Sequence, residues 1–125
     1  MRIEFFYWEE CPSHPEALAR LRAVLREEGL DVPVEVIRVE TEAEAAARAF
    51  PGSPTIRIDG ADIQAPEGTP IGLSCRVYHT DDGRVTPLPT DVMIRRAVRA
   101  ARAGAAAPPA VPRDAAVPRP GEAER

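Results

Sequence analysis

The chain of 125 residues is long enough for one domain with a single hydrophobic core. Its net charge of −4 and pI near 5.2 argue against nucleic acid or an anionic membrane surface as the main partner. No apolar run approaches the roughly 18 residues that a membrane-spanning helix needs, and the opening MRIEFFYWEE is too short and too acidic for a signal peptide. We therefore expect a cytoplasmic protein without a membrane partner, whose cysteines stay reduced unless they are catalytic, redox-sensing or metal-binding.

The first third of the chain predicts a strand, a helix and a second strand. Residues 3–8 (IEFFYW) form the short, aromatic-rich run that is typical of a buried strand. Residues 16–28 carry apolar side chains at three-to-four spacing, which predicts a helix. Pro12 suits the first turn of that helix and Gly29 its end. Residues 32–39 are β-branched and alternating, so a second strand follows.

The rest of the chain predicts two more helices and two more strands. A capping box at Thr41 opens a short helix that ends near residue 50. A third strand is predicted at 55–58, a loop at 61–73, and a fourth strand at 75–80. A last helix begins after Thr90 and runs to about residue 102.

The order β-α-β-α-β-β-α predicts an α/β domain. Its first half makes a parallel crossover and its second half an antiparallel pair covered by a helix. We expect a four-stranded mixed sheet with helices on both faces over residues 1–103. Residues 104–125 are rich in proline and alanine and nearly devoid of large apolar side chains, which predicts a disordered tail.

Three motifs follow one another along this framework: Cys11 between the first strand and the first helix, Ser53-Pro54-Thr55 before the third strand, and Asp59-Gly60 after it. In this order and spacing, residues 1–103 resemble the thioredoxin-like superfamily. The resemblance implies a thioredoxin fold with Cys11 as the attacking cysteine and a cis-proline, Pro54, lying against it. It also implies that the Ser53 backbone pairs with an extended substrate, with Pro12 and Thr55 beside it. The stretch GLSCRVY at 72–78 is similar to small thioredoxin-like proteins that carry an alkylmercury-lyase name.

The active-site motif differs from the usual Cys-x-x-Cys pair of that superfamily, because the chain has Cys11-Pro12-Ser13-His14. A cysteine at a helix N-terminus faces unpaired N–H groups and the positive end of the helix dipole, and both favour the thiolate. His14 follows about one helical turn later. Protonated, it would stabilise the thiolate, and neutral, it could relay a proton to a leaving thiol.

Cys75 is the other thiol of the chain. If 75–80 pairs antiparallel with 55–58, Cys75 lies at the far end of the sheet, more than ~10 Å from Cys11, whereas a disulfide needs Cα atoms within about 7 Å. An internal pair stays open only if the 61–73 loop reroutes the chain. The same register puts His79 on the Cys11 side. A Cys11/His14/His79 metal set can be drawn, but Cys-x-x-His without a second close pair is not a metal signature, so we expect no metal.

The function expected from these residues is thiol–disulfide exchange by a single cysteine, with no cofactor other than glutathione or another small thiol as resolving partner. The partner would be a protein or small molecule that bears a disulfide or thiol. Two alternatives stay open. One is a module that binds a thiol, soft metal or organomercurial without turnover, and the other is an interaction protein that kept the fold and lost the chemistry. The sequence does not decide the oligomeric state.

Overall fold

The computed structural model of the chain describes residues 1–66 and 68–106. In chain order its elements are β1 (Ile3–Tyr7), α1 (His14–Glu27), β2 (Val34–Arg38), α2 (Glu42–Ala47), β3 (Thr55–Ile58), β4 (Ala61–Asp62), β5 (Tyr78–His79), β6 (Val85–Thr86) and α3 (Asp91–Ala106). None of the helices within this part of the chain is long and apolar enough to cross a membrane.

A four-stranded sheet in the order β2-β1-β3-β4 forms the centre of the domain. The strand β1 pairs in parallel with β2 and antiparallel with β3, and β3 pairs antiparallel with β4. Four of the five residues of β1 are buried, as its apolar run predicts. The carboxyl end of β1 and the amino end of β3 meet at one end of the sheet, where Phe6 lies opposite Thr55.

Helices cover both faces of the sheet, because successive side chains of a strand point to opposite sides. On one face Phe5 and Ile56 pack in a single apolar cluster with residues of α1 and α3. On the other face Phe6 packs with Ala45 of α2 and with Phe50. The expected mixed α/β architecture, with a four-stranded mixed sheet and helices on both faces, is thus confirmed.

The fourth strand lies elsewhere than the sequence predicts. The edge strand is β4, because Asp59 and Gly60 both adopt positive φ angles (53° and 85°) and return the chain at once along β3. The prediction of a strand over 75–80 is wrong: only β5 is extended there, and it pairs with β6 in a separate two-stranded sheet.

The helix boundaries also shift. Ser13 is the N-cap of α1, so Pro15 rather than Pro12 occupies its first turn. The capping box at Thr41 is confirmed, with reciprocal hydrogen bonds to Glu44. Helix α3 continues to Ala106, beyond its predicted end near 102. Residues 107–125 of the predicted tail lie outside the described residues.

Candidate functional site

Cys11 lies in the turn between β1 and α1, where its N–H donates to the Trp8 carbonyl at 3.0 Å. Its residue is 1% exposed, and it comes two positions before the N-cap of α1. The thiol donates a hydrogen bond to the Ser53 carbonyl, with 3.4 Å between sulfur and oxygen. This hydrogen bond holds the Cys11 sulfur against the backbone of Ser53.

The segment Ser53-Pro54-Thr55 lies directly against Cys11 at the start of β3. The Ser53–Pro54 peptide is cis, as the resemblance implies. Pro54, Ser53 and Thr55 are all buried, and the Thr55 hydroxyl donates to the Gly52 carbonyl at 2.7 Å. The pairing of β1 with β3 therefore brings together two motifs that are more than forty residues apart in sequence.

A second segment, residues 74–76, runs alongside Ser53. The Ser53 N–H donates to the Ser74 carbonyl at 2.8 Å, and the Arg76 N–H donates to the Ser53 carbonyl at 2.9 Å. This pattern is a parallel bridge between Ser53 and Cys75. Both backbone hydrogen-bonding groups of Ser53 are thus paired within the chain, where the resemblance implies that they face an extended substrate.

Cys75 lies in this segment, next to Cys11. The pKa of the Cys75 thiol is raised, first by partial burial and then by a hydrogen bond with Cys11 and repulsion from its charge. Neither cysteine is in a disulfide; Cys11 is buried and Cys75 exposed.

The expected separation of the two thiols at opposite ends of the sheet is therefore wrong. It assumed that residues 75–80 pair with β3, but β4 already occupies that edge. The chain instead returns after β4 to the Cys11 end of the sheet, where the Gly72 N–H donates to the Phe50 carbonyl at 3.1 Å. The 61–73 loop therefore does reroute the chain, which is the alternative that the sequence left open.

Arg76 anchors residues 74–76 to β3 and β4. Its guanidinium is 2% exposed and makes a bidentate pair with Asp62 at 2.8 and 2.9 Å. It also donates to the Thr55 hydroxyl at 3.1 Å and to the Gln64 carbonyl at 2.7 Å, and it lies 4.4 Å from the centre of the Tyr78 ring. The charge is thus buried with partners on β3, β4 and β5 and on the loop after β4, which fixes the segment in place.

Tyr78 and Gly52 complete this support. The Tyr78 hydroxyl donates to the Pro54 carbonyl at 2.6 Å, and burial raises the pKa of this phenol, although the charge of Arg76 opposes the shift. Gly52 has a φ of 115°, and a Cβ there would lie 3.0 Å from the Cβ of Arg76. Residues 74–76 can approach Ser53 this closely because position 52 has no side chain.

The Ser53 hydroxyl is the one buried side-chain oxygen or nitrogen of the described residues that has no hydrogen-bond partner. Such groups are rare in folded proteins and ask for an explanation. Its residue touches Cys11 through the carbonyl and Cys75 through the bridge.

His14 and His79 differ in their relation to the site. The His14 ring stacks on Tyr7, with ring centres 4.5 Å apart, and no hydrogen bond joins it to Cys11 among the described residues. His79 exchanges two hydrogen bonds with Gln64, at 2.9 Å each, and lines a cleft together with Asp81 and residues of α3. Among the described residues no hydrogen bond joins His79 to Cys11 or His14, and the Cys11/His14/His79 set does not form a three-ligand group.

No group of three or more His, Cys, Asp or Glu side chains comes together as a metal site in residues 1–66 and 68–106. The residues that sequence reasoning missed are Asp62, Arg76 and Tyr78, which hold the 74–76 segment. A buried arginine carries no local signal, because its partners come from β3 and β4 and from the loop after β4.

Comparisons with protein-family models, with curated proteins and with solved structures found no match to this chain.

Proposed function

We propose that the chain is a thioredoxin-like protein that carries out thiol–disulfide exchange, with Cys11 at the centre of its site. The element order supports this proposal, because a β-α-β parallel unit is followed by an antiparallel pair and a closing helix. The placement of Cys11 after β1, against the segment that leads into β3, supports it as well.

The placement of both cysteines against Ser53 carries the proposal furthest. A lone buried cysteine is an ordinary core residue, but two cysteines placed against the same residue, Ser53, are not explained by packing alone. A thiolate attacks a disulfide through a mixed-disulfide intermediate. In the single-thiol form of the proposal, Cys11 attacks and a small thiol such as glutathione releases the product.

The other residues that the resemblance singles out take supporting roles in this proposal. Pro12, Pro54 and Thr55 shape the surface around the sulfur. Ser53 holds the Cys11 thiol through its carbonyl. His14 acts as a proton relay for the leaving thiol, for which its ring must leave the Tyr7 stack.

The test is glutathione-dependent reduction of a small disulfide, such as hydroxyethyl disulfide, and of a protein disulfide. The Cys11→Ser/Cys75→Ser double variant, which keeps the shape of both side chains, is the matched control. We expect turnover by the natural chain and none by the double variant. Equal rates for the two proteins would refute the proposal.

The contact of the two thiols also favours a second function, the capture of a soft ion without turnover. Two thiolates satisfy an ion of low coordination number, such as Cu(I), whose preference is for sulfur ligands. Titration with Cu(I) under anaerobic conditions should then give one ion per chain and a sulfur-to-copper absorption band. The double variant should give neither.

A further inference from the structure

We propose that Cys75 is the thiol that first attacks a substrate disulfide, and that Cys11 then closes an internal Cys11–Cys75 disulfide. This inference rests on the exchange function proposed above and assigns the order of its two thiols. The order is the reverse of the one that the resemblance implies, in which Cys11 attacks.

Access to the sulfur atoms is the first argument. Cys11 is 1% exposed, and its thiol points at the Ser53 carbonyl. Cys75 is exposed. A thiolate must touch the disulfide sulfur that it attacks, so the rate depends on access as well as on ionisation. In this structure only the Cys75 sulfur can meet a substrate without movement of the backbone.

The pairing of Ser53 is the second argument. A substrate chain that approached Cys11 along Ser53 would need the N–H and carbonyl of Ser53, and both are bonded to residues 74–76. To displace this segment it would also have to pull on Arg76, whose buried guanidinium binds Asp62. The segment therefore closes Cys11 off and presents Cys75 in its place.

The closeness of the two thiols is the third argument. Cys11 touches the Ser53 carbonyl, and Cys75 is the bridge partner of Ser53. Both cysteines therefore lie against one residue, Ser53, and the raised pKa of Cys75, to which Cys11 contributes after partial burial, agrees with this placement. Once Cys75 carries a substrate thiol, attack by Cys11 is intramolecular.

The raised pKa of Cys75 slows the first step without preventing it. A raised pKa lowers the thiolate fraction at neutral pH, but the thiolate that forms is a stronger nucleophile. A buried sulfur, by contrast, has no contact with the substrate at any degree of ionisation. Access therefore outweighs acidity in deciding which thiol reacts first.

The two steps balance in atoms and electrons. The Cys75 thiolate attacks one sulfur of the substrate R–S–S–R′, which forms a Cys75–S–S–R bond and releases R′S⁻. The Cys11 thiolate attacks the Cys75 sulfur, which forms the Cys11–Cys75 bond and releases RS⁻. The protons of the two cysteines pass to the two leaving thiolates. The substrate gains two electrons and the protein loses them, and a low-molecular-weight thiol such as glutathione then reduces the internal disulfide.

The test uses oxidised glutathione as the disulfide probe on the natural chain and on the variants Cys11→Ser and Cys75→Ser. Samples are quenched with acid over time and analysed by intact mass and peptide mapping. We expect Cys11→Ser to accumulate glutathione on Cys75, and Cys75→Ser to react at Cys11 at least ~10-fold more slowly because its sulfur is buried. The natural chain should end as an internal disulfide that carries no glutathione.

Two results would overturn the inference while the exchange function stands. One is modification of Cys11 in Cys75→Ser as fast as that of Cys75 in Cys11→Ser. The other is a natural chain that keeps glutathione on one cysteine and forms no internal bond. If the natural chain and both single variants all stay reduced, the proposed function itself fails.

Folding of the variants is checked by circular dichroism, with Cys11→Ala as a second variant if Cys11→Ser is unstable. A parallel series in denaturant should react at similar rates at both positions. Unequal rates that persist in the unfolded chain would mean that burial is not the cause, and would overturn the access argument.

Discussion

Replacement of Arg76 by methionine should destabilise the protein by about 3 kcal/mol. The side chain of Arg76 is 2% exposed and that of its partner Asp62 is 10% exposed. Removal of one partner from a buried ion pair costs about 3–5 kcal/mol, because the remaining charge has no compensation. We take the lower end, since methionine preserves the apolar volume over Tyr78 and the partly exposed Asp62 can reach water.

Urea unfolding measures this change. For a domain of this size the dependence on urea is about 1.5 kcal/mol per molar, so the midpoint should fall by about 2 M. The matched control is Arg96→Met, which breaks an exposed pair with Asp81, where the side chains are 61% and 78% exposed. This control should cost much less, because exposed ion pairs contribute little to stability.

A double variant tests whether the lost stability comes from the unpaired charge of Asp62. When Asp62→Leu is added to Arg76→Met, no buried charge remains, and much of the lost stability should return. Arg76→Met alone should also loosen residues 74–76 and speed the alkylation of buried Cys11. If Arg76→Met costs no more than Arg96→Met, the pair is not buried in solution and the anchor proposed for the site does not exist.

Two further predictions concern the edge of the site and the pH dependence of stability. Gly52→Ala should cost about 1–3 kcal/mol and speed Cys11 alkylation, because the new Cβ would press on Arg76. Gly29→Ala is the control, since Gly29 also has a positive φ but open space around it, and it should leave Cys11 protected. Equal alkylation rates in the two variants would contradict the close approach of residues 74–76 to Gly52. Hydrogen bonds from Arg99 hold the pKa of Glu28 below its ordinary value of 4.5, although desolvation opposes them. The carboxylate therefore contributes stability above that value, which is lost as the pH falls through the lowered pKa. Urea unfolding of Glu28→Gln between about pH 3 and 5 should show a shallower decline than the natural chain; an unchanged decline would mean that the pair adds nothing.

Local patterns in the sequence were sufficient for most of the elements. The run IEFFYW predicts β1, the spacing of apolar residues predicts α1 and α3, and the capping box at Thr41 predicts α2. These signals are local, because the buried side chains of a strand or a helix recur at a fixed spacing along the sequence. They also placed Cys11 between β1 and α1 and Ser53-Pro54-Thr55 before β3, whereas the contact between these two motifs was implied by the resemblance and follows from the antiparallel pairing of β1 with β3.

The position of Cys75 could not be read in the same way, because it depends on which segment takes the edge of β3. The positive φ angles of Asp59 and Gly60 turn the chain back so that β4 takes that edge. Because β4 is only two residues long, its sequence has no periodicity that could predict a strand. The rest of the loop then carries the chain back to Ser53, where Gly52 admits it and the buried Arg76 holds it. Sequence alone therefore determined three of the four strands of the sheet, the helices and the place of Cys11. Only the tertiary structure decided that Cys75 lies beside it, because that contact depends on the pairing of segments distant in the chain.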